Sequence, residues 1–113
     1  MLHQMKLHCE PFDMIKSGEK IIELRLYDEK RRAISVGDEI EFTLSGGEEK
    51  IVRKVIALHI YESFSELYDN LPLLKCGYTE KDISTASPDD MNVYYSKEKQ
   101  AKYGVIGIEL ALV

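Results

Sequence analysis

Only two cysteines, Cys9 and Cys76, occur in the chain, and they lie far apart. A small domain stapled by disulfides uses more, so two reduced thiols are expected. Neither cysteine stands at zinc-ligand spacing from a histidine. His3, His8 and Cys9 make a metal set only if folding adds a fourth group such as His59, so neither metal nor cofactor is expected. Basic residues are outnumbered: 15 Lys and Arg stand against 20 Asp and Glu, a formal net charge of −5. A protein that coats long nucleic acid carries a broad basic surface, because phosphate neutralisation dominates that affinity. Any contact with RNA is therefore expected in a local pocket or short cleft, where the acidic surround discourages non-specific binding. No apolar run approaches the roughly 20 residues that span a bilayer, so no membrane partner is expected. Met1 to Lys6 lacks a charged start leading into a long apolar stretch, which points away from a signal peptide and toward the cytoplasm. Gly-x-Ser-x-Gly, phosphate-binding P-loop and His-Glu-x-x-His patterns are missing, as are internal repeats and low-complexity segments.

What remains is a chain of 113 residues, 44% hydrophobic and 31% charged, the balance of one globular domain over residues 1–113. Met5 to Cys9 reads as a first strand. Glu10-Pro11 opens a helix through Ser17 with Phe12 and Ile15 as core contacts, and Gly18 suits the position just past its end. In the next strand Ile22, Leu24 and Leu26 alternate with Glu23 and Arg25, so the apolar trio is expected on the core and the charged pair on the opposite face. Asp28 to Arg32 reads as a short helical turn and Val36-Gly37-Asp38 as a second turn. Glu39 to Leu44 alternates as a strand, and Ser45-Gly46-Gly47 signals a hairpin. Lys50 to Tyr61 returns as a long strand whose imperfect alternation implies a bulge or burial on both faces. Ser63 to Glu66 fits a capping box before a helix to about Asn70. Leu71 to Ala86 is the longest irregular stretch, a surface loop or a cover over a site. Ser87-Pro88-Asp89-Asp90 caps a helix through Met91, Tyr94 and Tyr95, Ser96 begins a turn ending at Tyr103-Gly104, and Val105 to Leu112 is the last strand. Strands interrupted by short helices do not fit a βαβ alternation. They fit a mixed α+β, mainly β fold: a small barrel with short helices at its openings.

The most informative segment is Gly18-Glu-Lys20-Ile-Ile-Glu23-Leu-Arg25, which places a lysine, a glutamate and an arginine in the pattern G-x-K-x-x-E-x-R. Lys20, where a strand leaves a turn, can bind a phosphate, polarise a carbonyl, or act as a base if desolvation lowers its pKa. Arg25 offers a planar fork to a phosphate or base edge. Glu23 can accept from an exocyclic amine or take a proton in cleavage. The same pair can instead be an ion pair bracing the barrel mouth.

Four segments resemble the activating-signal-cointegrator homology (ASCH) domains, a family with a barrel similar to the PUA type of RNA-binding domain. The eight-residue motif is one. Val36 to Phe42 resembles the Gly-Asp turn and following strand of such barrels. Asp90-Met-Asn-Val-Tyr94-Tyr95 is similar to the acidic-Met-x-x-Tyr-Tyr helix of small members, and Tyr103 to Ile108 to their closing strand. The resemblance implies a PUA-like barrel and a polar cleft that binds RNA, a nucleotide or a nucleoside. It also implies an alternative, a small hydrolase in that cleft with Lys20 and Glu23 as catalytic residues. Some members look like ribonucleases, for which Lys20, Glu23 and Arg25 suffice without a metal. One bacterial branch looks like an amidohydrolase on N4-acetylcytidine, using a lysine, a threonine nucleophile and a glutamate. Its lysine falls on Lys20, but the threonine position is Glu23 here, and a carboxylate does not replace a hydroxyl nucleophile in acyl transfer.

Further ligand candidates are weaker. Lys30, Arg31 and Arg32 can rest on a backbone phosphate or form a solvated turn beside Asp28 and Glu29. Tyr94 and Tyr95 are adjacent, so on a helix one packs inward while the other is available to stack on a base. Asp90 caps its helix and is a possible acidic partner for Lys20.

Overall fold

The computed structural model describes residues 1–112. Its strands are β1 (Leu2–Leu7), β2 (Ile22–Leu26), β3 (Glu39–Leu44), β4 (Lys50–Tyr61) and β5 (Val105–Leu110). They form one curled half-barrel sheet in the order β1-β3-β4-β5-β2. Only β1 and β3 run parallel; the other neighbours are antiparallel. β1 and β2 are therefore the two outer strands. The register of β4 against β5 shifts between Val55 and Ala57, the irregularity expected from the broken alternation.

Two apolar clusters lie on opposite faces of the sheet. Inside the curl, Met5, Leu7, Ile40, Phe42, Val55, Ile106, Ile108 and Leu110 pack with Phe12 and Ile15 from helix α1 (Cys9–Ser17). The helix plugs the opening because its two large apolar residues sit three apart, one above the other on the same face. It stops where Gly18 takes φ 87°, a left-handed conformation that costs glycine no steric penalty. Outside the curl, Ile22, Leu24, Leu26 and Val105 lie beneath Phe64 and Leu67 of helix α3 (Phe64–Asn70). Helix α2 (Glu29–Arg32) and helix α4 (Lys97–Tyr103) complete the regular helices.

Four expectations need correction. The first strand is Leu2–Leu7 rather than Met5 to Cys9. Pairing with β3 recruits residue 2, while Pro11 begins a helix that claims Cys9 and Glu10 as its first turn. The last strand ends at Leu110, where its pairing with β4 runs out at Val55. The segment after Ser87 is a 3₁₀ helix, Pro88–Val93, which stops before Tyr94 and Tyr95. Finally, the two faces of β2 are exchanged. In the antiparallel pair Glu23 lies opposite Ile108 and Arg25 opposite Ile106, so the charged residues share the inward face of the barrel. The apolar trio points outward and is buried by α3.

The stretch from Leu71 to Ala86 holds two 3₁₀ turns, Leu73–Lys75 and Ile83–Thr85. It is tied to the start of β2, since the Ile21 amide donates to the Lys75 carbonyl at 2.9 Å. No helix among the described residues is long and apolar enough to cross a membrane.

Candidate functional site

The gap between β1 and β2 is where the inward face of β2 meets no neighbouring strand. Arg25 projects across it, and its Nη2 donates to the Lys6 carbonyl of β1 at 3.0 Å. The same guanidinium grips Glu23: Nε lies 2.9 Å and Nη2 2.8 Å from Oε2. Lys20 takes the other oxygen, with Nζ 2.7 Å from Oε1. The G-x-K-x-x-E-x-R motif thus folds into one ion triplet.

This triplet is buried. Glu23 is 3% exposed and Lys20 8%. Burial acts to push the Glu23 carboxyl up, but the adjacent Lys20 and Arg25 charges and their hydrogen bonds outweigh it and hold the group below the usual carboxylate range. For Arg25, burial acts to lower the pKa; the Glu23 carboxylate overrides it and the guanidinium is held above its ordinary value. Each charge favours the charged form of the other.

Local backbone geometry sets Lys20 in place. Its amide donates to the Met14 carbonyl of α1 at 3.0 Å, fixing it immediately after the helix. Its methylene stem lies against Gly77, where φ is 112° and an added Cβ would come within 3.3 Å of the Lys20 Cδ. A side chain there would be strained and would also press on the lysine. Cys76 next to it is buried, and desolvation pushes its thiol up to about 12. It is no nucleophile at neutral pH.

The triplet forms the floor of a cleft of about 740 Å³. One wall is the end of β1 and the first turn of α1, including Lys6, His8 and Glu10. The other is built from Tyr68 of α3, Tyr78 and Asp82 of the irregular stretch, and Asp90, Tyr94 and Tyr95. Leu71 to Ala86 does therefore contribute to the cleft. Tyr78 donates to Asp90 Oδ2 at 2.7 Å, so its oxygen accepts from the Tyr68 hydroxyl, also at 2.7 Å. This relay ties α3, the irregular stretch and the Pro88–Val93 segment together. Burial and both hydrogen bonds raise the Tyr78 hydroxyl pKa, so it stays a neutral donor.

The other predicted residues divide. Tyr95 is half-buried, its ring stacked on Phe64 with centroids 6.2 Å apart. Burial raises its hydroxyl pKa, against the lowering influence of Arg25 and Arg31. Tyr94 is the outward member of the pair, 65% exposed at the cleft rim. Asp90 is not the partner of Lys20; its Oδ2 accepts from the Ser87 amide and Tyr78, and Glu23 holds the lysine instead. Arg31 and Arg32 do not line the cleft. Arg31 pairs with Asp28 at 3.1 Å, while Arg32 lies over the Tyr27 ring at 4.3 Å. His3 is bonded to Asp38 and His59 to Glu109, and no group of three potential metal ligands occurs among the described residues. Tyr68, Gly77 and Tyr78 were not among the residues expected from sequence. Gly77 and Tyr78 sit where an irregular loop crosses the barrel mouth, and Tyr68 of α3 meets them there, a juxtaposition for which local periodicity carries no signal.

Residues 5–113 match the family model described as ASCH domain. Among solved structures, the chain is similar to the crystal structure of hypothetical protein PH0355, with 37% identity, a TM-score of 0.79 and 97% of each chain covered. It is also similar to protein PF0455 from Pyrococcus furiosus, solved in solution by NMR. That match has 37% identity and a TM-score of 0.70, covering 97% of this chain and 96% of the other. No functionally curated protein matches the chain. With a family match over residues 5–113, nearly its whole length, this chain belongs to the ASCH domain family.

Proposed function

We propose that the chain acts as one small RNA- or nucleotide-binding domain whose cleft receives a base on Lys20, Glu23 and Arg25, beside Tyr94 and Tyr95. The observation that carries this reading is the Glu23 carboxylate, buried yet ionised between two cations at the bottom of an open cleft. Burying charges is costly, and well-packed apolar residues often serve stability as well or better. A polar floor under tyrosine-lined walls is instead suited to a flat ligand with hydrogen-bonding edges.

Binding is better supported than hydrolysis. A general base works best with a pKa near the working pH, and Glu23 is shifted the other way. Both its oxygens are already engaged by cations. Residue 23 also lacks the hydroxyl that the amidohydrolase mechanism uses.

Calorimetric titration with ribonucleosides and short single-stranded RNA tests the reading. Lys20→Ala and Arg25→Ala should each weaken binding by about 10- to 100-fold, the worth of a hydrogen bond to a charged group. Chromatography of the mixtures should return the RNA intact. Absence of binding to every member of the set would refute the proposal. Cleaved RNA, or acetate released from N4-acetylcytidine, would replace it with the hydrolytic alternative.

A further inference from the structure

Two adjacent tyrosines stand at the cleft with different fates. Tyr95 is spent on the fold, stacked against Phe64. Tyr94 is not: it lies beyond the last 3₁₀ residue, lines the cleft and remains 65% exposed. Its ring is braced by Tyr95, with centroids 6.4 Å apart at a tilt of 52°. A large aromatic ring held at a rim, with one face uncovered, is a platform for a second flat group.

Size and charge suggest what that group is attached to. The cleft, at about 740 Å³, lies in the upper part of the range of about 300–1,000 Å³ that holds drug-sized ligands. A nucleoside is smaller than such ligands; two linked nucleosides match them. Of the cleft's cations, Lys20 and Arg25 share the single carboxylate of Glu23 and are buried or half-buried against it, whereas Lys6 is exposed and has no ion-pair partner among the described residues. Lys6 is therefore the cation left in solvent to meet a linking phosphate. The carboxylates of Glu10, Asp82 and Asp90 in the walls oppose a run of them.

We infer that the cleft holds two consecutive bases of a single-stranded nucleic acid, one on the Lys20–Glu23–Arg25 floor and its neighbour stacked on Tyr94, with the linking phosphate near Lys6. This rests on the reading of the cleft as a nucleotide site. It makes the ligand a short oligonucleotide rather than a free nucleoside.

The test compares ribonucleosides with the corresponding dinucleoside monophosphates by calorimetry, using the whole chain and the variants Tyr94→Ala, Tyr94→Phe and Lys6→Gln. The best dinucleoside should bind about 5- to 150-fold more tightly than its component nucleoside, the gain of one stacked base. Tyr94→Ala should collapse that ratio toward one, and Tyr94→Phe should preserve it. Lys6→Gln should reduce the salt sensitivity of dinucleoside binding. If nucleosides bind and dinucleosides bind no better, the second subsite is refuted while the nucleotide reading stands. Equal losses for both ligands in Tyr94→Ala would also refute it. If neither ligand binds, both readings fall together.

Discussion

Two charged stretches lie only two residues apart, and the protein treats them in opposite ways. Lys20, Glu23 and Arg25 are drawn inside the barrel mouth, where the three charges meet at hydrogen-bond distance. Asp28, Arg31 and Arg32 form instead a helix cap, an i,i+3 ion pair and a cation over an aromatic ring, away from the cleft. Residue type does not separate them, since each of these trios holds one acid and two bases. What separates them is what lies above. The end of β1, the first turn of α1 and the loop through Gly77 close over the first group. In the second, Arg32 stays exposed beside Tyr27 and the Tyr103 carbonyl, while the Arg31 side chain is sunk against Asp28 with its Nε buried. A buried carboxylate shared by two cations turns the first group into a coupled unit; the second is a set of separate pairwise contacts.

Substitution can break this contrast, most sharply at its centre. Glu23→Gln leaves two buried cations without a counter-charge and should cost about 3–5 kcal/mol in denaturant unfolding. The pH dependence identifies the cause. The folded-state pKa of Glu23 lies below its ordinary 4.5, so its stabilisation is complete above that value and is lost as pH falls through the folded pKa. Wild type should therefore weaken with acid below about pH 4.5, and Glu23→Gln should weaken less over that window. Asp38, held at about 2 chiefly by its hydrogen bond from His3, retains a parallel acid sensitivity in both proteins. Equal acid slopes in wild type and variant would show that the triplet is not coupled as described.

A smaller change is expected in the second group. Asp28→Ala removes the side-chain cap on the Arg31 amide and the partner of its guanidinium, and should cost about 0.5–2 kcal/mol by the same unfolding measurement. Smallest is Arg32→Ala, which forfeits an exposed cation–π contact worth about 0.5–1 kcal/mol. A loss at Asp28 as large as that at Glu23 would erase the distinction between the two regions.

Much of this arrangement was legible before any coordinates. Periodicity located β2, β3 and β4, glycine and proline marked the ends of α1, and the irregular pairing in β4 announced a bulge. The motif named the three residues that meet on the cleft floor. The facing of β2 was read backwards, and the reason is general. Alternation tells which residues share a face, but it assigns the apolar face to the main core. Here a second apolar layer under α3 claims Ile22, Leu24 and Leu26, which frees the barrel interior to receive charge. Arg31 and Arg32 do not line the cleft, and composition alone could not place them, since a basic run reads the same whether it rests on a ligand or forms a turn. The Tyr68–Tyr78–Asp90 relay left no trace in sequence, because it joins three segments through loop geometry alone.

Arg25 reaches from one rim of the curled sheet to the other while clasping the acid beneath it. On the proposed reading of the cleft, recognition and mechanical closure share a single guanidinium. Any change at position 25 that retunes ligand choice also alters how firmly the outermost strands are tied, so the two properties cannot drift separately there.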